Sequence, residues 1–360
     1  MYKKIAEEKF NNLKNNFKTR DIIILGIESS CDETSVSIVK NGREVLSNVI
    51  SSQIDIHKRF GGVVPEVASR NHVLAIDNVV KEALEISKVN LEDINAIAVT
   101  YGAGLMGALM VGVTYAKSLA YALKLPLIKV NHIKGHISAN YIAYENLTPP
   151  FIALVVSGGH TAIIKVNDYC NHTLIATTTD DAIGECYDKV AKVLGLGYPG
   201  GPVIDKYALE GKENITFINN ANKSKKDGGI SYSGLKTAVI NYLHKQNQNN
   251  VSVNINDVCA SFQKEAVNPL VDKLIYVAKK QKCNKIVVAG GVAANSYLRN
   301  LLTQEGKKNK IEVFVPPMKY CTDNAAMIAC EAYYNLINGQ GLSDLELTAN
   351  PSINLKYTKK

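Results

Sequence analysis

A chain of 360 residues, 46% apolar and 21% charged, has room for two ordinary domains and is too apolar to be disordered or fibrous. Its net charge of +8 would suit an RNA partner, although such charge is more often plain solvated surface. Seven cysteines, an odd set with no CxxC spacing, exclude a disulfide scaffold or zinc finger and point to reduced thiols in the cytoplasm.

Residues 1–20 predict a basic, partly helical extension; Lys3, Lys4, Lys9, Lys14, Lys18 and Arg20 crowd it, and it lacks the apolar centre of a signal peptide. Strands are expected at Ile22–Ile27, Thr34–Val39 and Glu44–Ile50, followed by a long amphipathic helix over Pro65–Ser87. Strand Ile94–Thr100, a glycine-rich loop, helix Gly107–Leu123 and strand Leu127–Val130 complete the first half. The pattern then repeats. Strands Phe151–Ser157, Thr161–Val166 and Thr173–Thr178 precede helix Asp181–Leu194, a long helix around Asn256–Lys280, strand Lys285–Ala289 and a Gly-Gly turn into another helix. Three strands, helix, strand, helix, written twice, predicts an α/β protein of two similar lobes with mixed sheets and a cleft between them. The lobes are assigned to 21–148 and 151–322, joined at Pro149-Pro150, with 323–345 a candidate to complete the first lobe and 346–360 a tail. No apolar run is expected to reach the roughly 18 residues that cross a bilayer.

His132 and His136, at i and i+4 of a predicted helix, fall on one face and could share a metal. A pair of partly exposed histidines is the equal alternative from spacing alone. Ile133 stands where HExxH metalloproteases carry their glutamate, so a peptidase reading lacks its base. Asp323, at a predicted helix start, is the candidate third ligand, with N-capping as its competing role. Two histidines and a carboxylate suit iron, zinc or a similar ion. Three glycine turns, within 155–161, 195–202 and 289–295, would let backbone N–H groups approach phosphate, although each alone is more often a tight connection. Walker A and dinucleotide fingerprints are absent. Asp32 and Glu33 lie in an acidic strand–turn–strand, and Asp188 is expected to share a helical face with Asp181 and to offer a carboxylate to ribose.

Residues 21–337 resemble the TsaD (Gcp, OSGEP-type) tRNA N6-adenosine threonylcarbamoyltransferases. The resemblance is carried by GIESSCDET (26–34), GGVVPEVASRNH (61–72), NHIKGH (131–136), VVSGGHT (155–161), DDAIGECYDK (180–189), LGLGYPGGP (194–202), SYSGLKT (231–237), GGVAANSYLR (290–299) and CTDNAAMIA (321–329). It implies the duplicated actin, Hsp70 and sugar-kinase (ASKHA) fold. It implies a divalent ion, iron(II) ahead of zinc, on His132, His136 and Asp323. It further implies that Val155, Val156, Ser157, Gly158, Gly159, Asp188, Gly201, Asp205 and Asn295 hold threonylcarbamoyl-AMP, with Asp32 and Glu33 near the reaction centre. The activity so implied is transfer of the threonylcarbamoyl group to the adenosine beside the anticodon of tRNAs reading ANN codons. The partners implied are tRNA and, in a bacterium, a smaller actin-like paralogue (TsaB type) and an ATPase (TsaE type). An actin-fold ATPase or kinase and a non-catalytic tRNA-binding subunit are the rival readings. Asn131 departs from a histidine, and Gly102-Ala103-Gly104 departs from Gly-Pro-Gly, which is expected to loosen that loop.

Overall fold

The computed structural model describes residues 2–218 and 229–353. Two further lysine clusters of the sequence, Lys223, Lys225 and Lys226, and Lys359 and Lys360, lie outside the described residues. The chain folds as two compact units, the first of residues 2–149, 167–172 and 316–353, the second of 150–166 and the described part of 173–315.

In the first unit, helix α1 (Tyr2–Asn16) precedes β1 (Ile23–Glu28), β2 (Glu33–Lys40) and β3 (Glu44–Ser52). After the short α2 (Ile54–Lys58) come α3 (Pro65–Ser87), β4 (Ala96–Gly102), α4 (Met106–Leu123), β5 (Leu127–Asn131) and α5 (His132–Ala143). The last helix, α11 (Ala325–Ile337), and β11 (Leu342–Ser343) return to this unit from the far end of the chain. The sheet order is β11-β5-β4-β1-β2-β3, with β1–β2–β3 antiparallel and β1–β4–β5 parallel. The inner strands are buried on both faces, which is why they read as apolar runs instead of alternating. On one face Leu25, Ile27, Val36 and Val99 meet Ile76 and Val80 of α3 and Val113 of α4. On the other, Ile24, Ala98 and Val130 meet Met327, Ala329 and Leu336 of α11, together with Phe10 and Leu13 of α1.

Gly26 sets the approach of α11. A Cβ there would lie 2.6 Å from Ala325 O and 3.0 Å from Ala329 Cβ, so the start of α11 rests directly on β1. The basic extension is thus a docked helix: Tyr2, Ala6, Phe10 and Leu13 are buried, and Tyr2 Oη donates to Leu125 O at 2.8 Å. Among the described residues α4 alone has the length and apolar composition of a membrane span, contrary to the sequence expectation. One face of it is packed: Ala108, Leu109, Gly112, Val113, Ala116 and Ala120 are buried, and α4 lies against β4 and α3. Nor is the 102–104 loop loose. Ala103 is buried, Gly104 N donates to Pro351 O, and Leu105 N to Ser30 O at 2.7 Å.

The second unit repeats the plan, with β6 (Phe151–Val156), β7 (Thr161–Val166), β8 (His172–Thr177), α6 (Ile183–Val193), α7 (Gly200–Ala208), α8 (Ser233–Gln248), α9 (Ile255–Lys280), β9 (Lys285–Ala289), α10 (Ser296–Asn309) and β10 (Glu312–Phe314). Its order, β10-β9-β6-β7-β8, is that of β5-β4-β1-β2-β3, with the same parallel and antiparallel senses at β6–β7, β6–β9 and β9–β10. The repeat read from the sequence is therefore a repeat of topology.

Candidate metal and nucleotide sites

The candidate metal centre lies wholly within the first unit. Asn131 caps α5, its Oδ1 accepting from Ile133 N at 2.9 Å, so the helix begins at His132 and both histidines project from its first turns. Their rings meet edge to face, centroids 4.6 Å apart. Asp323 Oδ1 is 3.1 Å from His136 Nε2 and 3.5 Å from His132 Nε2. The competition between capping and ligation resolves by one residue: Asn324 is the N-cap of α11, its Oδ1 accepting from Met327 N at 3.1 Å. Asp323 is left at the mouth of the pair.

The donors fit a divalent ion. His136 Nε2 meets Asp323 Oδ1 without the geometry of a hydrogen bond, and its Nδ1 is buried with no partner, an arrangement that costs free energy unless something else is bonded between the ring and the carboxylate. Two imidazoles and a carboxylate about 2.1 Å from one ion have ligand atoms roughly 3–3.5 Å apart, and Asp323 Oδ1 stands at such a distance from each histidine, with all three ligand atoms within 4.8 Å of one another. Burial opposes a charge on His132, but Asp323 and Glu28 outweigh it and push its pKa up to about 9. Glu33 is raised as well: burial, then Asp323 and Asp32, push its carboxyl well above the usual carboxylate range. Asp32 and Glu33 therefore share the electrostatic environment of Asp323. Their turn is held from behind by His72, whose Nε2 is 2.9 Å from Cys31 O and whose Nδ1 is 2.7 Å from Thr34 Oγ1.

The glycine turns belong to the second unit, where that at 289–295 meets that at 155–161 through Gly290 and Val156. Val155 and Val156 are buried at the end of β6, and Ser157 closes the turn, its N donating to His160 O and its Oγ accepting from His160 N. Nothing lies within 4 Å of a Cβ built on Gly158, Gly159 or Gly201, so their backbones are open to a ligand. Gly290, at φ +92°, sits against Val156, and a Cβ there would be 2.4 Å from its carbonyl oxygen. Gly184 of α6 backs on Ser157 and Gly158, and Gly200 backs on Tyr187 and Asp188. Close backbone approach is the physical need these glycines meet.

Asp205 and Asn295 are joined, Asn295 Nδ2 donating to Asp205 Oδ1 at 3.1 Å, while Asp205 also accepts from Ser296 N and Oγ. Asn295 Oδ1 caps α10 through Leu298 N. The expected pairing of Asp181 with Asp188 does not occur, because α6 starts only at Ile183 and Asp181 lies before it, on Lys189 Nζ at 2.8 Å. Asp188 Oδ1 accepts from Gly200 N at 2.7 Å and so steadies the start of α7 beside Gly201. Gln263, overlooked in the sequence, is buried with Oε1 accepting from Asn295 Nδ2 at 2.8 Å. It sits inside the long, largely buried helix α9 with no local signature. Glu28 likewise carries no local signature beyond its place in the stretch at 26–34.

The family model of tRNA N6-adenosine threonylcarbamoyltransferases (TsaD) matches residues 44–330. The chain belongs to that family. A relative of that name from Clostridium novyi (strain NT) is 58% identical over 338 residues, covering 94% of this chain and 99% of its own. One from Clostridium perfringens (strain SM101 / Type A) is 56% identical over 333 residues, 92% of this chain and 98% of its own. Among solved structures, T. kodakarensis HypF superposes with a TM-score of 0.59 at 13% identity, over 88% of this chain and 48% of that one. Component A of Acidaminococcus fermentans (R)-2-hydroxyglutaryl-CoA dehydratase gives 0.52 at 15%, over 88% and 99%. At such identities the likeness is one of fold, the duplicated actin and sugar-kinase type with two mixed sheets flanked by helices.

Proposed function

We propose that this TsaD-family protein transfers the threonylcarbamoyl group from threonylcarbamoyl-AMP to N6 of the adenosine beside the anticodon, in tRNAs that read ANN codons. The observation that carries the reading is the family match over residues 44–330. The amine attacks the carbamoyl carbon, the bond from that carbon to the phosphate oxygen breaks, and AMP leaves with the electron pair. An adenine amine is a weak nucleophile, so orientation supplies much of the acceleration.

The open backbones of Gly158, Gly159 and Gly201 would cradle phosphate. Asp188, Asp205 and Asn295 would set the ribose side, and Val155 and Val156 would form the floor beneath Ser157. Glu33, whose carboxyl burial and the neighbouring Asp323 and Asp32 push well above the usual carboxylate range, would stand near the reacting amine. Asp32 is the candidate acceptor of the amine proton. His132, His136 and Asp323 would hold a divalent cation, iron(II) ahead of zinc. Once bound, it would supply Lewis-acid polarisation of the acyl group. A TsaB-type paralogue and a TsaE-type ATPase are the proposed helpers, and the cytoplasm is where protein and tRNA would meet. The target base lies in a single-stranded loop that a protein can reach, and the lysines of α1 are candidates for phosphate contacts.

The experiment is transfer of labelled threonylcarbamoyl from its adenylate to unmodified tRNA with helpers added, following product and AMP. A double variant, His132→Ala with His136→Ala, runs in parallel with a tRNA-binding assay. Product that vanishes in the variant while tRNA still binds supports transfer and the metal site together. No product from folded, metal-loaded wild type with all helpers would overturn the reading.

A further inference from the structure

β1 ends on Glu28, a carboxylate with no solvent exposure. Burying such a group is costly unless its oxygens are bonded, and here both are. Oε1 accepts from Ser30 N at 2.5 Å, and Oε2 accepts from Thr100 Oγ1 of β4 at 2.6 Å. Oε2 also stands 3.1 Å from Nδ1 of His132. Ser30 Oγ lies at the same 3.1 Å from that nitrogen. The opposite ring nitrogen, Nε2, faces Asp323. His136 has no such partner, since its Nδ1 is buried without a hydrogen bond.

We propose that Glu28 is a positioning residue that fixes the tautomer and plane of His132, taking its Nδ1–H and leaving the Nε2 lone pair to the metal. The inference rests on the metal reading of His132, His136 and Asp323 given above. Glu28 Oε2 can only accept, so Nδ1 at 3.1 Å carries a proton, while Nε2, farther from its carboxylate at 3.5 Å from Asp323, is the nitrogen that gives up its proton to a cation. Thr100 ties that carboxylate to β4, and β1 carries it, so the orientation of one ligand is set by the centre of the sheet. A carboxylate behind a metal-bound imidazole both orients the ring and strengthens it as a ligand. His132 becomes the pre-set ligand, and His136 has no equivalent anchor.

Glu28→Gln keeps the volume and tests the idea sharply. The Ser30 N–H is a backbone donor and demands the amide oxygen at the Oε1 position. The NH₂ group must then occupy the Oε2 position, aimed at Thr100 and at His132 Nδ1. Donating there selects the opposite tautomer, with the proton on Nε2 and no lone pair for a cation.

Cobalt(II) provides the probe, titrated into the chelator-treated full chain and followed by its visible absorption. Competition with zinc and circular dichroism of the metal-free protein accompany it. Glu28→Gln is expected to lose about 10–100-fold in cobalt affinity with an unchanged dichroism spectrum, whereas Ser30→Ala should stay within about threefold of wild type. In ¹H–¹⁵N spectra of the zinc-loaded protein, the His132 Nδ1 proton should resonate far downfield in wild type and lose that position in Glu28→Gln. Wild-type affinity in Glu28→Gln, or the loss falling on Ser30→Ala instead, overturns the proposal. Should Glu28→Gln not fold, Thr100→Val decides: it keeps the carboxylate but frees it, and unchanged cobalt affinity there would refute the proposal. Equal cobalt binding by wild type and His136→Ala would instead refute the metal reading itself.

Discussion

Replacing Glu331 by glutamine should stabilise the first unit at pH 8 and change it little at pH 5. Glu331 lies on α11 with no solvent exposure; its Oε2 accepts from Ser138 Oγ of α5 at 2.7 Å, and Asn335 of the same helix lies beside the carboxyl. Burial pushes its pKa up from 4.5 to about 7, against the opposing pull of Lys134 and Ser138. Between those values the folded protein holds a proton that the unfolded chain has released, so stability falls as pH rises. The stabilising contribution is complete below 4.5 and is lost as pH passes through about 7. At about 1.4 kcal/mol per pH unit, the penalty is under about 1 kcal/mol at pH 5 and about 3 kcal/mol at pH 8. Glutamine cannot ionise and can still accept from Ser138. The assay is urea unfolding at both pH values, read by tyrosine fluorescence. The chain has no tryptophan, and Tyr141, Tyr169 and Tyr334 cluster in this unit. A gain of about 3 kcal/mol corresponds to a midpoint roughly 1–2 M higher at pH 8. An equal shift at both pH values, or a loss at pH 8, would refute the reasoning. The outcome bears on function because Glu331 and Ser138 join the two helices next to His136 and Asp323.

Three further outcomes are expected. Metal binding should release close to one proton per site near pH 7–8, because His132 is protonated below about 9 in the metal-free protein. Apparent affinity should then rise about tenfold per pH unit up to pH 9 and level off, which calorimetry in buffers of different ionisation enthalpy would measure. Gly290→Ala should cost at least about 1–3 kcal/mol, since its left-handed φ and the Val156 carbonyl both resist a methyl group. Thermal unfolding reads it, and AMP binding should weaken alongside. Phe10→Ala should destabilise by about 3–5 kcal/mol if α1 is part of the core, whereas a mutant as stable as wild type would show that α1 does not dock in solution.

Much of the protein was determined locally. Apolar runs bounded by turn residues become strands, and helical spacing places His132 and His136 on one face, because these depend on neighbours along the chain. The glycine turns too were visible as motifs, and the repeated order of elements anticipated the repeated sheet. Tertiary structure decided what those motifs touch. Asp323 reaches the histidines because α11 rests on Gly26 of β1, and it is available because Asn324 took the capping role. Asp188 turned out to brace Gly200, and Asp181 fell outside its helix, since an N-terminus is set by competing hydrogen bonds that spacing does not contain. The charged extension docked through four apolar residues that its lysines had hidden in the composition. Glu28 is an ordinary acidic residue in the sequence; only burial between Ser30, Thr100 and His132 sets it against a ligand of the candidate metal site, because the cost of an unpaired buried charge exists only once the chain has folded around it.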